Sequence, residues 1–237
     1  MRKLLSVFFL AMTLILFSGC ETMMKIFDCP AVQQKQEKDK RAAEGVAEAA
    51  PKSLPKTQTG LSQKQKQLVE AANWAKGRSS LVVNGKKYKM DCSGVVSAIY
   101  QKAGINLTRD FNKYKGGGVQ RIHETLRSKG LIYRPTVPVP GDIIFWDNTY
   151  DANHNGRADD VLSHIGMVVS SDKRSGEVTY VHHNEKKGIV FEKMNLLHVN
   201  DPAYNSGMRS QKAKKLPGGK YLASQLYKDA GKGYLFN

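Results

Sequence analysis

The chain has 237 residues, 41% of them hydrophobic, with 8 Pro and 21 Gly; this is enough for one globular domain with a buried core plus ancillary segments. Its 37 Lys+Arg against 21 Asp+Glu leave a net charge of +16, which points to anionic partners: nucleic acid, phospholipid headgroups or an acidic polymer. Cys20, Cys29 and Cys92 offer no even disulfide framework, which excludes a stapled fold.

The N-terminus narrows the partners. MRKLLSVFFLAMTLILFSGC sets Arg2 and Lys3 before an apolar run from Leu4 to Phe17, followed by Ser18, Gly19 and Cys20. That run is short for a spanning helix and has the charged start and small-residue end of a secretory signal. A cysteine directly after Ser-Gly is similar to a bacterial lipoprotein signal. The similarity implies that residues 1–19 are removed and that Cys20 becomes the lipidated first residue. An ordinary signal peptide or a membrane anchor is the alternative. Export removes nucleic acid from the partners and places the chain in the cell envelope. The expected address is the periplasmic face of the outer membrane, although lipidation alone leaves inner and outer membrane open. Without Arg2 and Lys3 the mature chain keeps 35 basic against 21 acidic residues, near +14.

Residues 20–60 read as the lipidated cysteine and a flexible linker. QQKQEKDKRAAEGVAEAAPKSLPKTQTG has almost no large apolar residues and cannot bury a core. It would let an anchored domain, expected to be a monomer, reach tens of ångströms from its membrane. Cys29, within this stretch, either pairs between chains or stays free.

The domain itself spans 61–237. SQKQKQLVEAANWAKG predicts a helix capped by Ser62, with Leu68, Ala71, Ala72 and Ala75 on one face. A turn at Asn84-Gly85 follows. DCSGVVSAIYQKAG predicts a second helix, with Asp91 near its cap, Val95, Val96, Ile99 and Tyr100 apolar, and Gly104 as terminator. A third helix is expected over Val119–Lys129. After RPTVPVPG the period turns strand-like, over Asp142–Trp146, His164–Ser170, Val178–His183 and Ile189–Lys193. Helices first and antiparallel strands afterwards make an α+β class. From Leu196 onward only a short helix in SQLYKDAG and a basic loop, QKAKKLPGGK, are legible. His123 and His198 are most simply structural or surface residues.

Cys92 sits where the second helix starts. Free backbone N–H groups and the positive helix end there favour thiolate over thiol, and the same groups could hold an oxyanion. The bland reading is a buried helix cysteine. His164 opens a strand after a loop, on the fixed backbone that a general base needs. His182 and His183 end the strand expected to pair with it. Adjacent strand residues face opposite sides, so only one of them can point at His164.

Taken together, DCSG, its apolar helix, PGDIIFW, SHIGMVV and YVHHN, over roughly residues 61–195, resemble the NlpC-type bacterial cell-wall cysteine peptidases. The resemblance implies a papain-like fold, with the nucleophile helix packed on an antiparallel sheet of about four to six strands. It implies a Cys-His-polar triad that hydrolyses stem-peptide amide bonds of peptidoglycan, between D-glutamate and a diamino acid. By that resemblance Cys92 is the nucleophile, His164 the base and later the acid, and His182 the residue that orients the imidazole, with His183 as the alternative. Asp142, of the Gly-Asp pair, is expected to start a strand rather than to act in catalysis. A related cell-wall amidase, or a non-catalytic wall-binding lipoprotein, are the competing readings.

Between PGDIIFW and SHIGMVV the chain inserts residues 147–162. From Asp151 the spacing is D-x-N-x-N-G-x-x-D-D, with oxygen side chains at positions 1, 3 and 5 and Gly156 at 6, as in a calcium loop. Asp151, Asn153, Asn155, the backbone carbonyl of Arg157 and Asp160 are the expected ligands of a weak, structural Ca2+. Position 12 holds Leu162 instead of Glu, so Asp160 would close the shell early. A polar surface loop with an Asn155-Gly156 turn is the alternative.

Overall fold

The computed structural model describes residues 60–209 and 219–237. The expected signal segment, Cys20, Cys29 and nearly all of the expected linker lie outside the described residues. Among the described residues no helix is long and apolar enough to cross a membrane.

Three helices come first. Helix α1 (Gln63–Ala75) begins with a capping box: Gln65 N–H donates to the Ser62 hydroxyl and Ser62 N–H to the Gln65 side chain. Its Leu68, Ala71, Ala72 and Ala75 stripe is buried, as the 3.6-residue period requires. A hairpin, β1 (Leu81–Val83) and β2 (Lys86–Tyr88), turns through Asn84 and Gly85 at φ +50° and +75°, the left-handed pair that a two-residue hairpin needs. Helix α2 (Cys92–Lys102) is capped by Asp91, which accepts from Gly94 N–H at 2.8 Å. Helix α3 (Gly118–Arg127) stops two residues short of the expected Lys129.

The strands β3 (Ile132–Tyr133), β4 (Ile143–Trp146), β5 (His164–Ser171), β6 (Glu177–Asn184), β7 (Gly188–Asn195) and β8 (Tyr227–Gly231) form one antiparallel sheet in the order β3-β8-β4-β5-β6-β7. The four expected strands are all present, within a residue or two of their expected ends. Both faces are covered, which explains the unbroken apolar run Ile143–Trp146. Phe145, Ile165, Met167 and Val181 join α1 and α2 in one core cluster. Ile144, Trp146, Val168 and Tyr180 form a second on the opposite face, closed by a short helix α4 (Ala223–Leu226). The Trp146 indole donates to Ala223 C=O at 2.8 Å.

One expectation is corrected here. SQLYKDAG is helical only as far as Leu226, and Tyr227–Gly231 is a strand lying between β3 and β4. Its partners, β3 and β4, lie far upstream in the chain, and a five-residue segment carries too little periodicity to reveal them. The α+β class and the six-strand sheet with helix α2 against it are compatible with the expected papain-like architecture.

Candidate active site

Cys92 is the first residue of α2, partly buried against the helix-side core. The N–H groups of Ser93, Ile165 and Cys92 itself face its sulfur. They do not win. Burial, with the Asp91 carboxylate acting in the same direction, pushes the thiol up to about 11. The expected preference for thiolate is therefore overturned in the resting protein. The residue that caps the helix puts a negative charge at the end where the dipole alone offered a positive one. Burial by itself would raise Asp91, but the Lys89 ammonium at 2.9 Å and the bonds from Gly94 N–H and the Ser93 hydroxyl outweigh it and lower its pKa.

His164 opens β5 directly opposite Trp146. Its Nε2 lies 2.8 Å from His182 Nδ1, with the two rings edge to face. Burial pushes His164 down to about 3, helped by the neighbouring His182 and His183 and opposed by Glu192. No hydrogen bond joins Cys92 to His164 in this structure. They meet through the backbone of Ile165, and the resting pair is a neutral thiol and a neutral imidazole.

Behind His182 stands a residue that the motifs did not reveal. Glu192 Oε2 is 3.2 Å from His182 Nε2, an ion-pair separation without full hydrogen-bond alignment, and its Oε1 is 2.9 Å from Lys187 Nζ. Burial raises Glu192, yet His182 and Lys187 together outweigh it and its pKa is lowered. A carboxylate there draws the His182 proton to Nε2. Nδ1 is then an acceptor for His164 Nε2–H, and the remaining lone pair of His164 is on Nδ1, free for the thiol proton. Glu192 could have been found from strand register: it pairs with Tyr180, on the same face as His182. His183 is on the alternate face, opposite Ile189, where burial pushes it down and the Asp91 carboxylate opposes that push.

Two glycines mark close approaches around the nucleophile. A Cβ on Gly94 would lie 2.1 Å from the Lys89 carbonyl oxygen, and one on Gly118 would lie 2.2 Å from the Ser93 hydroxyl. Gly94→Ala meets rigid backbone, so about 3 kcal/mol of destabilisation is expected, read as a lower urea midpoint with unchanged slope. Tyr88, four residues before the cysteine, is packed in the helix-side core. Asp142 is structural, as expected: it accepts from the Tyr133 hydroxyl and Val139 N–H, while burial pushes it up to about 6. His123 is a buried structural residue, 3.1 Å from Asp229, and His198 stacks on Tyr204.

The pKa of His164 sets a measurable pH dependence. A histidine at about 3 in the fold and 6.5 in its ordinary state binds more protons when unfolded, so its contribution to stability falls as pH drops from 6.5 towards 3. Asp142, held at about 6, acts with the opposite sign. The two are separated by comparing wild type with His164→Gln. Relative to the variant, the wild type should lose about 2 kcal/mol between pH 7 and 4.5 by denaturant titration.

The inserted segment runs from the end of β4 to the start of β5. Its base is tied by Leu162 N–H to Asp147 (2.6 Å), Asn148 N–H to Asp160 C=O (2.8 Å), Asp160 N–H to Asn148 Oδ1 (2.9 Å) and Thr149 N–H to the Ser163 hydroxyl (2.9 Å). Leu162 is buried in the helix-side core, which is why the twelfth position supplies no carboxylate. Further out, Asp151 accepts from Asn155 N–H and Gly156 N–H at 3.2 and 2.8 Å, and Asn155 Oδ1 accepts from Arg157 N–H at 2.8 Å. Among the described residues, no three His, Cys, Asp or Glu side chains gather into a metal-holding group.

The family model described as the NlpC/P60 family matches residues 74–206, more than half of the chain, including Cys92, His164, His182 and Glu192. No curated protein sequence matches it.

Proposed function

Since the chain belongs to the NlpC/P60 family, whose members are generally cysteine peptidases or amidases of the cell wall, we propose that it is a peptidoglycan hydrolase that cuts stem-peptide amides by thiol catalysis. The observation that carries this reading is the ordered imidazole pair, His164 Nε2 to His182 Nδ1 at 2.8 Å, next to a cysteine at a helix start.

The chemistry follows from the resting protonation. His164 Nδ1 takes the thiol proton as Cys92 Sγ attacks the amide carbon, so charge separates only as the new C–S bond forms. Backbone N–H groups at the start of α2 stabilise the resulting oxyanion in this reading. The imidazolium returns its proton to the leaving amine as the C–N bond breaks, leaving a thioester. Water, deprotonated by the same histidine, then releases the acid and restores the thiol. His182 holds the imidazole, and Glu192 holds His182.

The bond proposed is that between D-glutamate and the diamino acid. Lipidation at Cys20 and a position on the periplasmic face of the outer membrane are part of the same proposal, supported by the N-terminal sequence. The test is mass spectrometry of purified sacculi incubated with the full chain, beside Cys92→Ala. New soluble muropeptides absent with the variant support the hydrolase, and their masses name the bond, an amidase product included. Release of nothing by the wild type, with sacculus binding retained, overturns it in favour of a wall-binding lipoprotein.

A further inference from the structure

The inserted loop contains an oxygen that the protein does not satisfy. Asp160 is 7% exposed. Its Oδ1 reaches back across the loop to accept from Ala152 N–H at 3.0 Å, while Oδ2 is buried without a hydrogen-bond partner. A buried carboxylate oxygen left bare is strongly unfavourable unless a proton, a donor or a cation meets it. The Ala152 bond directs this carboxylate to the segment that starts the oxygen-rich stretch, next to Asp151. Asp159 does not compete for the role, because it accepts from the Asn153 and Asn155 side-chain amides.

We propose that residues 151–160 bind one Ca2+, with Asp151, Asn153, Asn155, the Arg157 carbonyl and Asp160 as oxygen ligands. Two carboxylates, two amide oxygens and a carbonyl are a hard, mostly neutral donor set. It suits calcium's tolerance of irregular geometry better than the strict octahedron of magnesium, and water would complete the shell. The chain already bends as such a loop must, with His154 at φ +56° and Gly156 at φ +71°, and both Asp151 oxygens turned inward onto backbone N–H groups. Asn153 and Asn155 would ligate through Oδ1, which leaves their NH2 groups donating to Asp159. The loop base is closed by hydrogen bonds that need no metal, and Ser163 separates it from His164. The ion therefore orders the outer loop and stabilises the domain; its effect on chemistry at Cys92 is secondary. This distinguishes the site from the hydrolase reading, since either can fail alone.

The experiment is thermal unfolding of the full chain, purified in detergent, under a calcium titration at constant ionic strength, with magnesium as the parallel arm. The expected result is a saturable rise in Tm, half complete at about 10⁻⁴–10⁻³ M and reaching roughly 3–6 °C at ten times that concentration. Magnesium should give less than a third of it. Asp160→Asn and Asp151→Asn should each move the midpoint at least tenfold higher. Should either fail to fold, Asn153→Ala, at an exposed position, should still move the midpoint severalfold. A Tm that does not respond, one that magnesium raises equally, or a midpoint unchanged in every folded variant overturns the proposal.

Discussion

Replacing Cys92 with Ser is expected to lower the rate of muropeptide release by about 10⁴-fold or more, with fold and wall binding unchanged. Losses on the order of 10⁶ accompany removal of a triad nucleophile elsewhere. Here the conservative swap gains nothing from similarity of shape. The serine hydroxyl is a far weaker acid than even a thiol held at about 11, and His164, held at about 3, is a weak base in the resting site. The barrier already includes the proton transfer from sulfur, and an oxygen nucleophile raises it further. The same resting state predicts how the thiol behaves towards an alkylating reagent without substrate. Because the thiolate, not the thiol, reacts, iodoacetamide should label Cys92 slowly at pH 7. The rate should then climb roughly tenfold per pH unit through pH 9. A labelling rate that is already at its plateau at pH 7 would show a preformed thiolate and sink this account of the resting pair.

Glu192→Gln should reduce kcat by about 10²-fold with KM nearly unchanged. A glutamine of the same shape can turn its NH2 towards His182 Nε2 and force the His182 proton to Nδ1. That reverses the bond at His164 Nε2 and puts the His164 proton on Nδ1, the atom that has to be bare. Loss of the equivalent orienting carboxylate in a serine-protease triad lowers kcat by roughly 10⁴ through the wrong tautomer. Glu192 is one histidine further from the nucleophile, aligned less well with its partner and shared with Lys187, so the effect is smaller. Nitrogen-15 NMR of the imidazoles separates this from a loss of packing. The variant should show a changed His182 tautomer with an intact spectrum elsewhere. Glu192→Asp should recover part of the rate, and Lys187→Met should have less than a threefold effect, because that lysine is largely exposed and its ion pair is screened.

What the sequence determined by itself is what local chemistry encodes. Ser62 and Asp91 announce helix starts because a side-chain oxygen must meet free N–H groups. Asn84-Gly85 announces a hairpin because both residues tolerate positive φ. The apolar runs at 143–146 and 164–169 announce buried strands. The order of DCSG, SHIG and YVHH was enough to name the family and to nominate Cys92, His164 and His182. Strand alternation made His182 and His183 mutually exclusive and the family resemblance favoured His182, but the His182–His164 contact itself depends on which face β6 turns to β5, which is a tertiary fact. The strand character of Tyr227–Gly231 and the bare oxygen of Asp160 were out of reach, since each is defined by a partner distant in the chain or by the water it has lost. The thiol shows the limit most directly. Its place at a helix start was legible and suggested a thiolate. The desolvation that reverses this is the sum of everything packed around it, which no single segment carries.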